Sequence, residues 1–237
     1  MSLIFIVKTA QSQVLISLIF GDKLNSPNLE FGLDGGINFS NISGYDNTKY
    51  FPGWNLGFYF DFRMSEKTQF HTGVLVKSRM GVKYLDPYPS GDDELDSIMT
   101  NGGRVDRVLK YFSVPATIKY TFYKRWFMEG GIMLGLLAKG TDKFISTTDA
   151  GDKLTVDKII TDQLKRLDAG LLVGAGVKLK KKLGMSLGIR YYYGLMNIYK
   201  DPVDSKFHNN TNIYLFASIP IGAGKAQEKR DAKESVE

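Results

Sequence analysis

Two histidines, His71 and His208, are the only imidazoles in this 237-residue chain, and it has no cysteine. Thiolate chemistry and disulfides are therefore absent, and a metal centre built on His and Cys lacks ligands. His208 lies near Asp204 and Ser205. In the right geometry those three types activate a nucleophile, but one loop holding them with no further signature predicts only a polar loop. His71 follows the Ser65-Glu66-Lys67 turn and is expected to be a hydrogen-bonded interior residue. Segment 170–176 has the glycines of a phosphate loop, yet Val177-Lys178-Leu179 continues as a strand where that fingerprint requires a helix. Asp92, Asp93, Glu94 and Asp96 read as a solvated acidic loop. No catalytic residue, cofactor or metal is expected.

The charges carry more information. Glu30, Asp34, Asp61, Glu129 and Asp168 fall on the same strand face as Arg63, Lys77, Arg79, Lys119, Lys139, Lys178 and Arg190. Turned inward, that face must pair its charges, because an isolated buried charge is very costly. The expected result is an ion-pair network of Glu30, Asp34, Asp61, Arg63, Lys77, Lys119, Glu129, Asp168, Lys178 and Arg190 that fills an interior. The net charge of +6 is dispersed over turns, strands and tail. It lacks the clustered patch of a phosphate-backbone binder, so no nucleic-acid partner is expected.

These residues need strands to position them. Segment 54–64 alternates Trp54, Leu56, Phe58, Phe60, Phe62 and Met64 with Asn55, Gly57, Tyr59, Asp61 and Arg63, a period of two that marks a strand. Similar alternation predicts strands at 29–41, 68–84, 109–122, 126–139, 166–179, 185–198 and 211–221. Short charged joints (65–67, 123–125, 180–182) alternate with long polar ones (45–52, 86–108, 144–164, 199–209). The longest uncharged apolar run, 14–20, is far short of the ~20 residues a spanning helix needs. A barrel can still span, since only alternate side chains meet lipid. Glycines 32, 36, 57, 73, 131, 135, 170, 174, 176, 188 and 194 fall on the polar face, with Gly35 and Gly130 as exceptions. A narrow bore explains that bias, because it has little room for large groups. The expected fold is all-β, an eight-stranded antiparallel up-and-down transmembrane β-barrel over 29–221. Ala10-Gln11-Ser12 after an apolar start reads as a signal-peptide remnant, 1–12. Residues 13–28 form an N-terminal periplasmic segment, and 222–237 a charged periplasmic tail.

The chain resembles the PorT-like outer-membrane β-barrel proteins of Bacteroidota. The resemblance lies in segments 32–41, 57–62, 114–120 and 188–194, and covers most of 29–221. The chain departs from many barrels in ending on Ile219-Pro220-Ile221 and a charged tail, where they end on an aromatic. The resemblance implies a Gram-negative outer membrane and, through one branch of the family, a link to type IX protein secretion. It supplies no active-site motif. The expected role is structural or interaction-based, with outer-membrane lipid or lipopolysaccharide and envelope or secretion-system proteins as partners and both termini periplasmic. The alternatives are a small-solute channel, a lipid- or peptide-processing enzyme, or a soluble lipocalin-like carrier.

Overall fold

The computed structural model describes residues 26, 28–91, 96, 99, 103–147, 153–179, 184–201 and 205–221. The expectations for 1–12, most of 13–28, the 180–182 turn, Asp92–Glu94, Asp204 and the 222–237 tail lie outside the described residues. The strands are β1 (Leu29–Ile42), β2 (Lys49–Arg63), β3 (Thr68–Leu85), β4 (Arg104–Tyr123), β5 (Trp126–Thr147), β6 (Lys153–Ile159), β7 (Leu167–Lys178), β8 (Ser186–Gly194) and β9 (Asn210–Pro220). Each of β1–β5 pairs antiparallel with the next, β5 pairs with β7, and β7–β8–β9 continue around the ring. β9 then pairs with β1, from Gly32↔Pro220 to Ile42↔Asn210, and closes eight strands without a free edge. β6 stands outside the ring, paired only with the upper part of β5.

The alternation read from the sequence sorts side chains as expected. Trp54 (41% exposed), Ile132 (49%) and Val173 (53%) belong to an outer wall of exposed apolar residues, while Asp34 (1%), Glu129 (4%) and Arg190 (4%) are buried in the bore. So broad an exposed apolar surface is untenable in water; it requires an apolar medium around it. In such a medium a closed ring of strands satisfies every ladder donor and acceptor.

The glycines have a geometric cause. A Cβ on Gly36 would lie 1.9 Å from the Leu215 carbonyl oxygen, and one on Gly57 would lie 2.0 Å from that of Val74. These inner-face positions let neighbouring strands coil against each other more closely than any side chain permits. Gly130, on the other face, would have nothing within 4 Å of a Cβ.

Four features differ from the sequence reading. β2 begins at Lys49 and includes Pro52, which points outward. β4 and β5 are longer, and the segment expected to be a loop over 144–164 instead forms the β5–β6 hairpin and a 3-10 turn, Thr161–Gln163. Bulges interrupt β3 and β5. Leu75 opposes Ser113 but Ser78 opposes Tyr111, and Tyr111 opposes Leu137 but Lys110 opposes Lys139. Each bulge puts two consecutive residues on the outer face, Val76-Lys77 and Ala138-Lys139, and reverses the parity beyond it. Finally, the bore is not hydrophilic throughout. Towards the long loops Met80, Leu109, Tyr111, Met133, Leu137, Leu172, Tyr192 and Tyr214 pack into one buried apolar cluster.

Candidate functional site

The charged half of the bore is built from single residues on six strands. Arg190 of β8 donates from Nε to Glu129 of β5 (2.6 Å) and from Nη1 to Asp34 of β1 (2.6 Å). Its Nη2 lies 3.2 Å from Nε2 of His71 on β3. His71 Nδ1 is 2.5 Å from Asp61 of β2, which also pairs with Lys119 of β4 at 3.0 Å. Because Arg190 can only donate, His71 Nε2 accepts and the ring proton sits on Nδ1, facing Asp61. The guanidinium also stacks 3.8 Å from the Phe216 ring centroid. Thr117 donates to the second Glu129 oxygen at 3.2 Å. Each charge therefore has at least one opposite charge, and each has a further hydrogen bond except Lys119, whose ammonium lies 5.6 Å from the Tyr59 and Phe127 ring centroids; this is the condition under which a buried ion cluster is tolerated.

The remaining expected members are placed differently. Glu30 pairs with Lys178 at 3.0 Å and accepts from Tyr59 at 2.8 Å, nearer the short-turn mouth and partly exposed. Arg63 is exposed at the end of β2, lining that same mouth. Asp168 sits beyond the network and accepts from Asn210 at 2.8 Å, and among the described residues no cation pairs with it. Lys77 is on the outer wall, 4.8 Å above the Trp54 ring, and Arg79 and Lys139 follow it there. The bulges are the reason, since strict alternation carried through them puts these three on the wrong face.

A second cluster closes the long-loop end, and the sequence reading missed it. Arg107 of β4 forms a bidentate pair with Asp142 of β5 (2.7 and 2.6 Å), and both are buried. Tyr88 donates to the same carboxylate at 2.6 Å. Tyr45 and Tyr199 bond each other and Arg107. His208 is enclosed here, 4.3 Å from the Tyr45 ring centroid, with Nδ1 3.0 Å from the Ser43 carbonyl oxygen. It thus brackets two loops together, while Ser205 is exposed. A signal for Arg107–Asp142 existed. Zipping the β4–β5 hairpin upward from its turn makes those two residues direct cross-strand partners.

Burial and the Asp142 carboxylate push the Tyr88 phenol above its ordinary range. The folded protein therefore holds that proton to higher pH than the unfolded chain does. Its contribution to stability is complete below the ordinary tyrosine range, about pH 10, and declines as pH rises through it. Tyr88→Phe is expected to cost about 1–3 kcal/mol and to remove that alkaline decline, read by unfolding titrations at pH 8 and pH 11.

A closed antiparallel ring with an apolar outside and a bore filled by its own side chains, charged in one half and apolar in the other, defines a membrane-spanning barrel. The chain belongs to the outer membrane protein beta-barrel domain family, whose model matches residues 10–200, and it is an outer-membrane protein. No curated protein sequence matches it. Among solved structures it is similar to Ail, the attachment invasion locus protein of Yersinia pestis. That match has 15% identity and a TM-score of 0.43, covering 82% of this chain and 99% of Ail. Neisserial surface protein A shares 12% identity at a TM-score of 0.41, covering 80% and 96%. The outer membrane protein AlkL shares 15% at 0.36, covering 81% and 90%.

Proposed function

We propose that this barrel is a non-conducting, non-catalytic anchor whose long-loop end presents a contact surface for envelope proteins. The observation that carries this reading is the double closure of its bore. One layer is the charged cluster on β1, β2, β3, β4, β5 and β8; the other is the apolar cluster around Leu109, Met133 and Leu172. A barrel this narrow is normally filled by its own side chains, and nothing in such a filling favours passage of a solute. Purified protein in planar bilayers is expected to give no steady open-pore current at 100 mV. A stable ohmic current would replace this reading with a small-solute channel.

The proposal includes an orientation: long loops outside the cell, short turns and both termini in the periplasm. The chain has no cysteine of its own, so introduced ones report cleanly. Ser205→Cys is expected to react with a membrane-impermeant maleimide on intact cells, and Ser65→Cys only after lysis; the reverse pattern would invert the orientation. Strands 32–41 and 188–194 support a PorT-like assignment within Bacteroidota and, with it, a place beside a type IX-like secretion apparatus. Affinity purification from detergent-solubilised envelopes is expected to recover components of that apparatus, and recovery of the barrel alone would count against the secretion link.

A further inference from the structure

The two bulges produce an arrangement that the filled bore does not use. Arg79 of β3, Lys110 of β4 and Lys139 of β5 are direct cross-strand partners in one row. Lys110 and Lys139 are exposed on the outer wall, and Lys77 adjoins the row above Trp54. Like charges directly opposite each other in a sheet repel. Among the described residues no carboxylate lies within 4.0 Å of any of the four. Arg79 Nε is buried without a hydrogen-bond partner. A groove lined by Trp54, Val76, Lys77, Arg79, Lys110 and Phe112 runs beside the row.

The height of the row is fixed by the apolar wall. On β5 the outward apolar residues run from Trp126 to Leu136, and on β4 from Phe122 to Phe112. Each is the roughly 9–11 residues that a tilted strand needs to cross the hydrocarbon. The next outward polar positions are Lys139 and Lys110. The cations therefore sit at the membrane boundary on the long-loop side, level with headgroups, where a row of unpaired positive charge meets fixed phosphates. An apolar aromatic floor with cations above it matches a phosphorylated lipid more closely than a small soluble anion, which would use the cations and leave the groove idle.

We infer that Arg79, Lys110 and Lys139, with Lys77 and Trp54 at their side, bind the phosphate groups of a phosphorylated glycolipid in the outer leaflet. This rests on the orientation proposed above. The test uses the full-length protein in zwitterionic dodecylphosphocholine micelles, titrated with bis-phosphorylated lipid A, its dephosphorylated form, and inorganic pyrophosphate. Trp54 fluorescence, in a Trp126→Phe background that leaves it the one indole, and native mass spectrometry read binding. The bis-phosphorylated lipid is expected to bind at least tenfold more tightly than the dephosphorylated one, with Arg79→Gln/Lys110→Gln/Lys139→Gln losing at least tenfold. Arg63→Gln/Lys124→Gln, at the opposite end, is expected to bind as the native protein does. Lys110→Gln alone, folded by the criterion of electrophoretic mobility before and after heating, is expected to lose about threefold, which keeps the test decisive if the triple variant misfolds. Unchanged affinity in the substituted proteins would overturn the assignment, and so would pyrophosphate competing as well as the lipid. Because micelles have no sidedness, failure of the orientation appears in the maleimide experiment, and failure of the lipid site appears here.

Discussion

Arg190→Ala is expected to destabilise the barrel by about 3–5 kcal/mol, the range for breaking a buried ion cluster by removing one partner. The variant leaves Glu129 and Asp34 facing each other across the bore without the guanidinium that now donates to both at 2.6 Å. It also takes away the donor to His71 and the cation stacked on Phe216. Reversible urea unfolding of protein refolded into micelles measures the loss. The companion variant Asp34→Asn/Glu129→Gln/Arg190→Met separates charge from packing. It removes every charge of that subcluster with similar volume, and such replacements are often near neutral. It is therefore expected to recover most of the stability lost in Arg190→Ala. If the triple variant is as unstable as the single one, the cluster acts through shape rather than charge.

The second large effect concerns a residue with no side chain. Gly36→Ala would place a methyl 1.9 Å from the Leu215 carbonyl oxygen, at the β1–β9 seam that closes the ring. The oxygen belongs to backbone, so relief requires the two strands to part, and overpacking of this kind costs about 1–3 kcal/mol or more. The expected readout is a lower yield of the compact, heat-modifiable form and a lower urea midpoint. Gly130→Ala, with open space around it, is the matched control. It is expected to change the midpoint by less than about 0.5 kcal/mol equivalent, as an outward substitution away from special features does.

The sequence specified the ring well because its rule is simple. In β2 every second residue from Trp54 to Phe62 is large and apolar, and that rule holds from one strand to the next. The same rule misplaced Lys77, Arg79 and Lys139. A bulge adds one residue and reverses everything beyond it, while the local composition around Val76-Lys77 or Ala138-Lys139 looks like ordinary alternation. The apolar half of the bore was hidden for another reason. Met133 and Leu172 lie between outward neighbours that are equally apolar, so alternation has no contrast there, and the inner layer reads as part of the wall. Arg107 lies in the segment expected to be the 86–108 loop and Asp142 between the expected strand end at 139 and the loop at 144, and two register shifts separate the pair from the hairpin turn. His71 was recognised as an interior residue, but its contact with Arg190 required the positions of six strands, which no linear pattern contains.

Everything depends on which way the side chains of each strand face, and single spin labels along β5 measure that directly. Labels introduced one at a time at positions 128–136, in protein reconstituted into lipid bilayers, report access to dissolved oxygen against a water-soluble nickel chelate. High oxygen access is expected at Met128, Ile132, Leu134 and Leu136, and low access at Glu129 and Met133. Access that ignores the two-residue period, or that peaks at Glu129 and Met133, would contradict the barrel described here.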